Sequence, residues 1–381
     1  MKQEERANMK GGGRIDYIDI AKGLGMMTII WGHIVEYGIT NSFVYAFHIP
    51  LFFFLSGLVF NRQRYVNYKH FLIKKIKSLL VPYAIFSFVT WLFWVIYNMG
   101  FLKNSYGVSE MLAPLFQTFI AQGSGGYLIH NVPLWFITCL FVVENVYWVL
   151  SKYKPTIRLV IVVICAIIGY FMNTPINNSY DGLISTFDFT RLPWNIEVSF
   201  SALIFFAIGH GLIEKYSHKE MLETVNRNHK FSIGICVLLW LCVLLGGWYN
   251  GHVSMGSNQL GNPFVFYGAA ICGIFAMMLL TMLLSVSSYT EKPFMRFIKW
   301  FGRNSYYAMA IHNPIKGVVV IVVAMVLSRI GIHLSAPSLA YEYIVSVVAF
   351  VITVIAVVLG IIIINVLLRK VSGLKIREKD E

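Results

Sequence analysis

Charge is what this sequence has least of. Only 13% of its 381 residues are Asp, Glu, Lys or Arg, about half the share usual in soluble domains. Acidic side chains are scarcest, 18 against 31 basic ones. The five cysteines (Cys139, Cys165, Cys236, Cys242, Cys272) all sit in apolar runs at spacings that match neither a zinc site nor a disulfide framework. The sequence has no phosphate-binding glycine loop, no H-E-x-x-H, no G-x-S-x-G and no C-x-x-C, so ATPase, metalloprotease and serine-hydrolase readings have no support. Ten-residue alternating strands are missing, which excludes a membrane β-barrel. The halves show no internal repeat of the kind many transporters carry.

Apolar sequence fills the space instead. Hydrophobic residues make up 57% of the chain and aromatics 15%, with a mean hydropathy of +0.67. Runs near the length of a membrane crossing recur throughout, so the expected fold is an all-α membrane protein. Ten spans are expected, at 17–38, 43–60, 78–100, 132–150, 158–172, 195–213, 231–249, 262–284, 305–327 and 342–367. The stretch 111–121 is apolar but too short to cross and is expected at the outer surface or re-entering it.

Basic residues set the orientation. With the N-terminus inside, 27 of the 31 Lys and Arg fall in the N-terminal segment, the four inner loops and the tail. Of the other four, Lys103, Arg191 and Arg329 lie in outer loops and Lys316 lies inside the ninth span. Both termini are therefore expected to be cytoplasmic. The layout is an N-terminal segment 1–16, a membrane domain 17–367 and a basic tail 368–381. The net charge of +13 is explained by topology and does not point to nucleic acid. With no small-residue cleavage site after it, the first span is expected to be retained.

Polar residues inside spans are costly and by default face a bundle interior or a wet cavity. The first span carries Asp19, Lys22 and His33. At 100° per residue, Lys22 and His33 lie about 20° apart on the helix and about 16 Å apart along it, with Asp19 on the same stripe. The second span opens F-H-I-P-L-F-F-F-L-S-G, placing His48 beside Pro50, a helix start or kink. Before the third span, Lys74 and Lys77 share one helical face. Positive-inside topology explains those two lysines; a landing site for a phosphorylated donor such as coenzyme A explains them as well. Glu144 falls near the middle of the fourth span, paired with the first-span stripe or neutral. In the third outer loop and the entry to the sixth span, Arg191 and Trp194 are candidates for holding a sugar, though Arg191 can equally pair with Asp188. His312, followed by Asn313 and Pro314, is expected about two turns in from the cytoplasm, on the donor side.

These pieces, in this order, resemble the acyltransferase 3 family of bacterial integral-membrane acyltransferases. The resemblance rests on Lys22 and His33, on Phe47 to Gly57, on K-K-I-K-S-L-L-V-P-Y (Lys74 to Tyr83), on P-L-W-F (Pro133 to Phe136) and on G-R-N-S-Y-Y-A-M-A-I-H (Gly302 to His312). The family's first motif usually has Arg where Lys22 stands, and its R-x-x-R appears here as Lys74 and Lys77; lysine keeps the charge but not the bidentate fork. This lysine-bearing form is similar to the branch of polysaccharide O-acetyltransferases that includes fucose-4-O-acetylase-like proteins. The resemblance implies a bacterial inner-membrane enzyme, a cytoplasmic acyl-CoA co-substrate, usually acetyl-CoA, and a surface or lipid-linked glycan hydroxyl as acceptor. It implies no bound cofactor and no metal.

On this reading His33 is general base or transient acyl carrier, and Lys22, held by Asp19, offers charge to the donor. Lys74, Lys77 and His312 hold the donor; His48, Glu144, Arg191 and Trp194 hold or orient the acceptor. A proton-coupled transporter or glycan flippase is the rival, because intramembrane His, Glu and Lys also suit proton relays.

Overall fold

The computed structural model describes residues 14–35, 38–123, 126–172, 192–329 and 339–372, nearly all of them helical. Eight helical stretches among them are long and apolar enough to cross a membrane. Two more expected spans are present as helices: α1 (Asp16–Ile34), which carries Asp16, Asp19 and Lys22, and α8 (Pro155–Phe171), which has 17 residues. The only β pairing among the described residues is an isolated bridge between Ser254 and Gln259.

The expected second span is a broken helix. It runs as α2 (Ile39–Tyr45) and α3 (His48–Leu58), with the break at Ala46 and Phe47. Pro50 has no N–H to give to Ala46, so the ladder cannot continue through this point. A carbonyl released there needs another donor, since lipid supplies none. The His48 side chain adds a donor at the break: its Nδ1 lies 2.7 Å from the Val44 carbonyl, which also accepts the Phe47 N–H.

The third span belongs to a continuous 34-residue helical stretch, Tyr68–Phe101. It comprises α4 (Tyr68–Lys75), a π turn over Ile76–Leu80 and α5 (Val81–Ile96). Pro82 removes the N–H that would close on Ser78, and the ladder widens over that turn. The apolar stretch too short to span becomes α6 (Val108–Gln117), laid on α5 through a hydrogen bond from the Trp91 indole to the Met111 carbonyl, 2.8 Å.

The remaining crossings are α7 (Trp135–Leu150), α9 (Ile196–Lys215), α11 (His229–Asn250), α12 (Pro263–Val286), α14 (Ser305–Arg329) and α15 (Leu339–Ser372). Two short amphipathic helices, α10 (His218–Arg227) and α13 (Pro293–Arg303), occupy what the sequence reading treats as inner loops. Their charged and apolar residues alternate at helical spacing over only three turns, too little to register as spans.

α1 is the hub of the bundle, packed against α2, α3, α12, α13, α14 and α15. Its closest crossing is with α13, where a Cβ on Gly302 would fall on the Asp19 carbonyl oxygen and one on Gly23 would meet the Ile298 carbonyl. Two ion pairs lock this crossing: Arg303 to Asp19 at 2.9 Å and Lys299 to Asp16 at 2.9 Å. A similar close approach joins α3 to α9, with Gly57 against the Phe206 carbonyl and Gly209 against that of Phe54.

At the same end, the Tyr17 hydroxyl meets His218 Nδ1 of α10 at 2.6 Å. Burial lowers the pKa of His218 from its ordinary 6.5 to about 4. The fold therefore prefers a neutral ring, and its contribution is complete above about pH 6.5, where the unfolded chain is also neutral. It is lost progressively as the pH falls from 6.5 toward 4. Thermal denaturation in detergent should show a melting temperature that drops over this window, and His218→Gln should flatten part of the drop.

Candidate functional site

The donor-side candidates lie on separate elements, Lys22 on α1, Lys74 on α4 and Lys77 in the π turn that follows it. Lys22 is half-buried on α1 and makes no hydrogen bond or ion pair among the described residues. Asp19 stays within electrostatic range of it, but the carboxylate is bound by Arg303 at 2.9 Å. The expected clamp of Asp19 on Lys22 is thus corrected: Asp19 fastens α1 to α13 and leaves the lysine uncommitted. Lys74 is exposed, with its ammonium 5.8 Å from the centre of the Tyr65 ring, and Lys77 is exposed.

Glu144 is corrected as well. Its Oε1 is 2.7 Å from the ammonium of Lys75, at side-chain exposures of 6% and 19%, so the pair is largely withdrawn from water. Lys75 follows Lys74 on α4, which makes Glu144 a partner of the basic segment and not of the first-span stripe. Tyr68 reinforces the same joint by donating to Asn145 Oδ1 at 3.0 Å.

The imidazoles meet elsewhere. His33, in the last turn of α1, has its ring centre 5.2 Å from that of His312 on α14 and 6.3 Å from that of Tyr45 on α2. Tyr45 also packs against His48 at 4.8 Å and against His252, from the loop after α11, at 4.6 Å. His312, expected on the donor side, therefore belongs to the His33 cluster. Its ring contact with His33 places it there, which a residue count from the start of α14 does not reveal. His48 and His312 are buried, His33 is half-buried and His252 is exposed.

Lys316 completes this group. It follows His312 by four residues, which puts both on one helix face. Its ammonium donates to the His33 carbonyl at 3.2 Å, one of the carbonyls left over at the end of α1. In the sequence Lys316 stands out only as a charge inside the ninth span; its four-residue spacing from His312 is the signal that ties it to the site.

Backbone supply explains a second unexpected neighbour. Pro314 takes away the N–H that would bond the Ala310 carbonyl. Asn131, from the loop before α7, supplies the replacement from its side-chain amide at 2.6 Å. Next to it His130 is 3% exposed with no hydrogen bond on either ring nitrogen, and burial lowers its pKa to about 4.

Trp194, expected to hold a sugar, has its polar atoms tied to the backbone, while its ring stays half exposed. Its indole donates to the Phe119 carbonyl at 2.9 Å and its backbone N–H to that of Ile120 at 2.7 Å. At a positive φ of 62° it forms a tight corner before α9. Asn195 continues the corner, joining the Gly123 N–H to the Gly256 carbonyl through its side chain. Arg191, along with Asp181 and Asp188, lies outside the described residues. A groove of about 410 Å³ between α2 and α11, lined by side chains such as Ile39, Phe43, Trp240 and Leu244, is wholly apolar and contains none of the predicted residues. Among the described residues no group of three His, Cys, Asp or Glu could hold a metal ion.

Fold and site together define a polytopic helical membrane protein whose ionisable groups are gathered inside the bundle and at its basic end. The chain belongs to the acyltransferase 3 family: the family model, described as an acyltransferase domain, matches residues 15–366. It is a membrane acyltransferase. Neither the curated proteins nor the solved structures compared with it gave a match.

Proposed function

We propose that this chain moves an acyl group, acetyl in the simplest case, from cytoplasmic acyl-CoA to a hydroxyl of a surface or lipid-linked glycan on the outer side of a bacterial inner membrane. The observation that carries the reading is the disposition of α1. At one end is an ammonium without a hydrogen bond, Lys22; at the other is the half-buried imidazole of His33, among further imidazoles.

The two ends divide the labour. Lys22, Lys74 and Lys77 attract the phosphates of the donor, whose long thioester arm then runs along α1. Lys22 sits about 16 Å along the helix from His33, so the two cannot act on the same atom. Transfer takes place at His33. The acceptor oxygen attacks the thioester carbonyl carbon as His33 takes its proton, and the carbonyl π pair moves onto oxygen. When the tetrahedral species collapses, the C–S bond breaks and the proton passes to the departing thiolate, leaving an ester and free coenzyme A. Lys316, whose ammonium donates to the His33 carbonyl, is the cation this reading assigns to the negative charge that develops on oxygen.

Separating the ends gives the test. Lys22→Gln should raise the KM for acetyl-CoA about tenfold, the effect of losing one charge-assisted contact. The KM for the acceptor should stay within twofold. Steady-state transfer of radiolabelled acetyl from acetyl-CoA measures both constants. An unchanged donor KM removes Lys22 from the donor site.

A further inference from the structure

The hydrogen bonds of the histidines around His33 fix which ring nitrogen carries the proton. His48 Nδ1 lies 2.7 Å from the Val44 carbonyl, and His312 Nδ1 lies 2.8 Å from that of Met309. A carbonyl only accepts, so both Nδ1 atoms donate. His252 takes one more step. The Asn41 amide nitrogen donates to the carbonyls of Gly32 and Val35, at 3.2 and 2.5 Å, which fixes the orientation of that side chain. Its Oδ1, 2.6 Å from His252 Nδ1, must therefore accept, and His252 Nδ1 carries the proton. In their neutral form all three rings thus leave Nε2 as an unprotonated lone pair.

A structural role accounts for the Nδ1 bonds alone, since His48 and His312 cap carbonyls near prolines. It leaves Nε2 unexplained. That atom of His312 is buried and has no hydrogen-bond partner, a loss of about 1–3 kcal/mol unless something donates to it. The three rings also cluster: Tyr45 touches His48 and His252, and His33 touches Tyr45 and His312.

We propose that His252, His48 and His312 form the acceptor subsite, built of lone pairs that receive the hydroxyl protons of an uncharged polyol, with His252 and Tyr45 at its mouth. The proposal rests on the acyl-transfer reading for the reaction but names the acceptor's class from hydrogen-bond polarity. Three acceptors of like polarity match a sugar face with several free hydroxyls. They oppose a carboxylate, which brings lone pairs of its own. The Tyr45 ring offers the flat apolar surface against which a sugar ring can lie, and the exposed His252 is the first group an arriving glycan meets.

The test uses the full-length protein in nanodiscs and two readouts. In the first, melting temperature is followed with methyl α-glucoside and maltotriose as neutral polyols and with glucuronate as the acid. The neutral sugars should raise it in proportion to binding, and glucuronate should not. A rise with glucuronate alone, or no rise with any neutral sugar, overturns the proposal. In the second, acetyl transfer to whichever neutral sugar is the better acceptor is compared between wild type and His252→Phe, which keeps the ring against Tyr45 but removes both nitrogens. The acceptor KM should rise about tenfold, the loss of one hydrogen bond, and His252→Gln, whose amide oxygen can still accept, should recover part of it. An acceptor KM unmoved in His252→Phe overturns the assignment. The first readout needs no turnover, so failure of the acyl-transfer reading and failure of this subsite give different results: stabilisation without transfer in one case, transfer without polyol selectivity in the other.

Discussion

His33→Ala stops acyl transfer. The expected loss in kcat is about a hundred- to ten-thousand-fold, the range for removing a general base, with the apparent affinity for acetyl-CoA unchanged within twofold. The split follows from where the residue sits. His33 is at the far end of α1, about 16 Å from the lysine assigned to the donor, so its loss leaves the phosphate contacts intact. Truncating it removes a half-buried ring beside Tyr45 and His312, a modest packing loss next to a wide core. Single-turnover transfer from radiolabelled acetyl-CoA, combined with donor-induced thermal stabilisation, separates the two quantities. Transfer at the wild-type rate in a folded His33→Ala protein removes the imidazole from the chemistry.

The second large effect is on stability. Glu144→Ala leaves the ammonium of Lys75 without its partner at a site where that side chain keeps only 19% of its exposure. Breaking a buried pair by removing one member costs about 3–5 kcal/mol, and the remaining exposure of Lys75 places this case near the lower end. Replacing both members, Glu144→Leu with Lys75→Met, removes the uncompensated charge together with the bond and should recover most of the loss. Chemical denaturation in detergent of the wild type, the single variant and the double variant measures this. If the double variant is no more stable than Glu144→Ala, the cost lies in packing and not in a stranded charge.

Much of the fold could be read from the sequence because lipid imposes such narrow conditions. A crossing needs a long apolar helix, and the expected spans fall within a few residues of helices the chain forms. α8 is an example, expected over 158–172 and found over Pro155–Phe171. The polar stripe of α1 was legible for the same reason, since a charge within a span is conspicuous. What remained hidden was partnership. Asp19 and Lys22 are close in sequence and seem made for each other, yet Arg303 from α13 takes the carboxylate. Glu144 looks central when residues are counted from one end of its helix, but Lys75 draws it into the basic segment.

Proline gave half of an answer. Pro314 announces a carbonyl in need of a donor, that of Ala310, but nothing in the local sequence says that Asn131, 179 residues before Ala310, will be that donor. Tyr45 and His252 escaped notice because one more aromatic in an aromatic-rich span and a single histidine in a loop carry no distinguishing signal. Their meeting is produced by α2 and α11 packing side by side. Trp194 carried a related lesson: the N–H groups of an aromatic beside a loop can be committed to backbone carbonyls far away in the chain.

The central claim is transfer between two ends of one helix, and sidedness tests it most directly. Protein reconstituted into sealed liposomes in a single orientation, established by protease access to the basic tail, is given radiolabelled acetyl-CoA on the face bearing Lys74 and Lys77, with the acceptor sugar sealed on the other face. The account predicts labelled ester on the sequestered sugar and free coenzyme A on the donor face. Labelled ester formed only when sugar and acetyl-CoA share a compartment contradicts it.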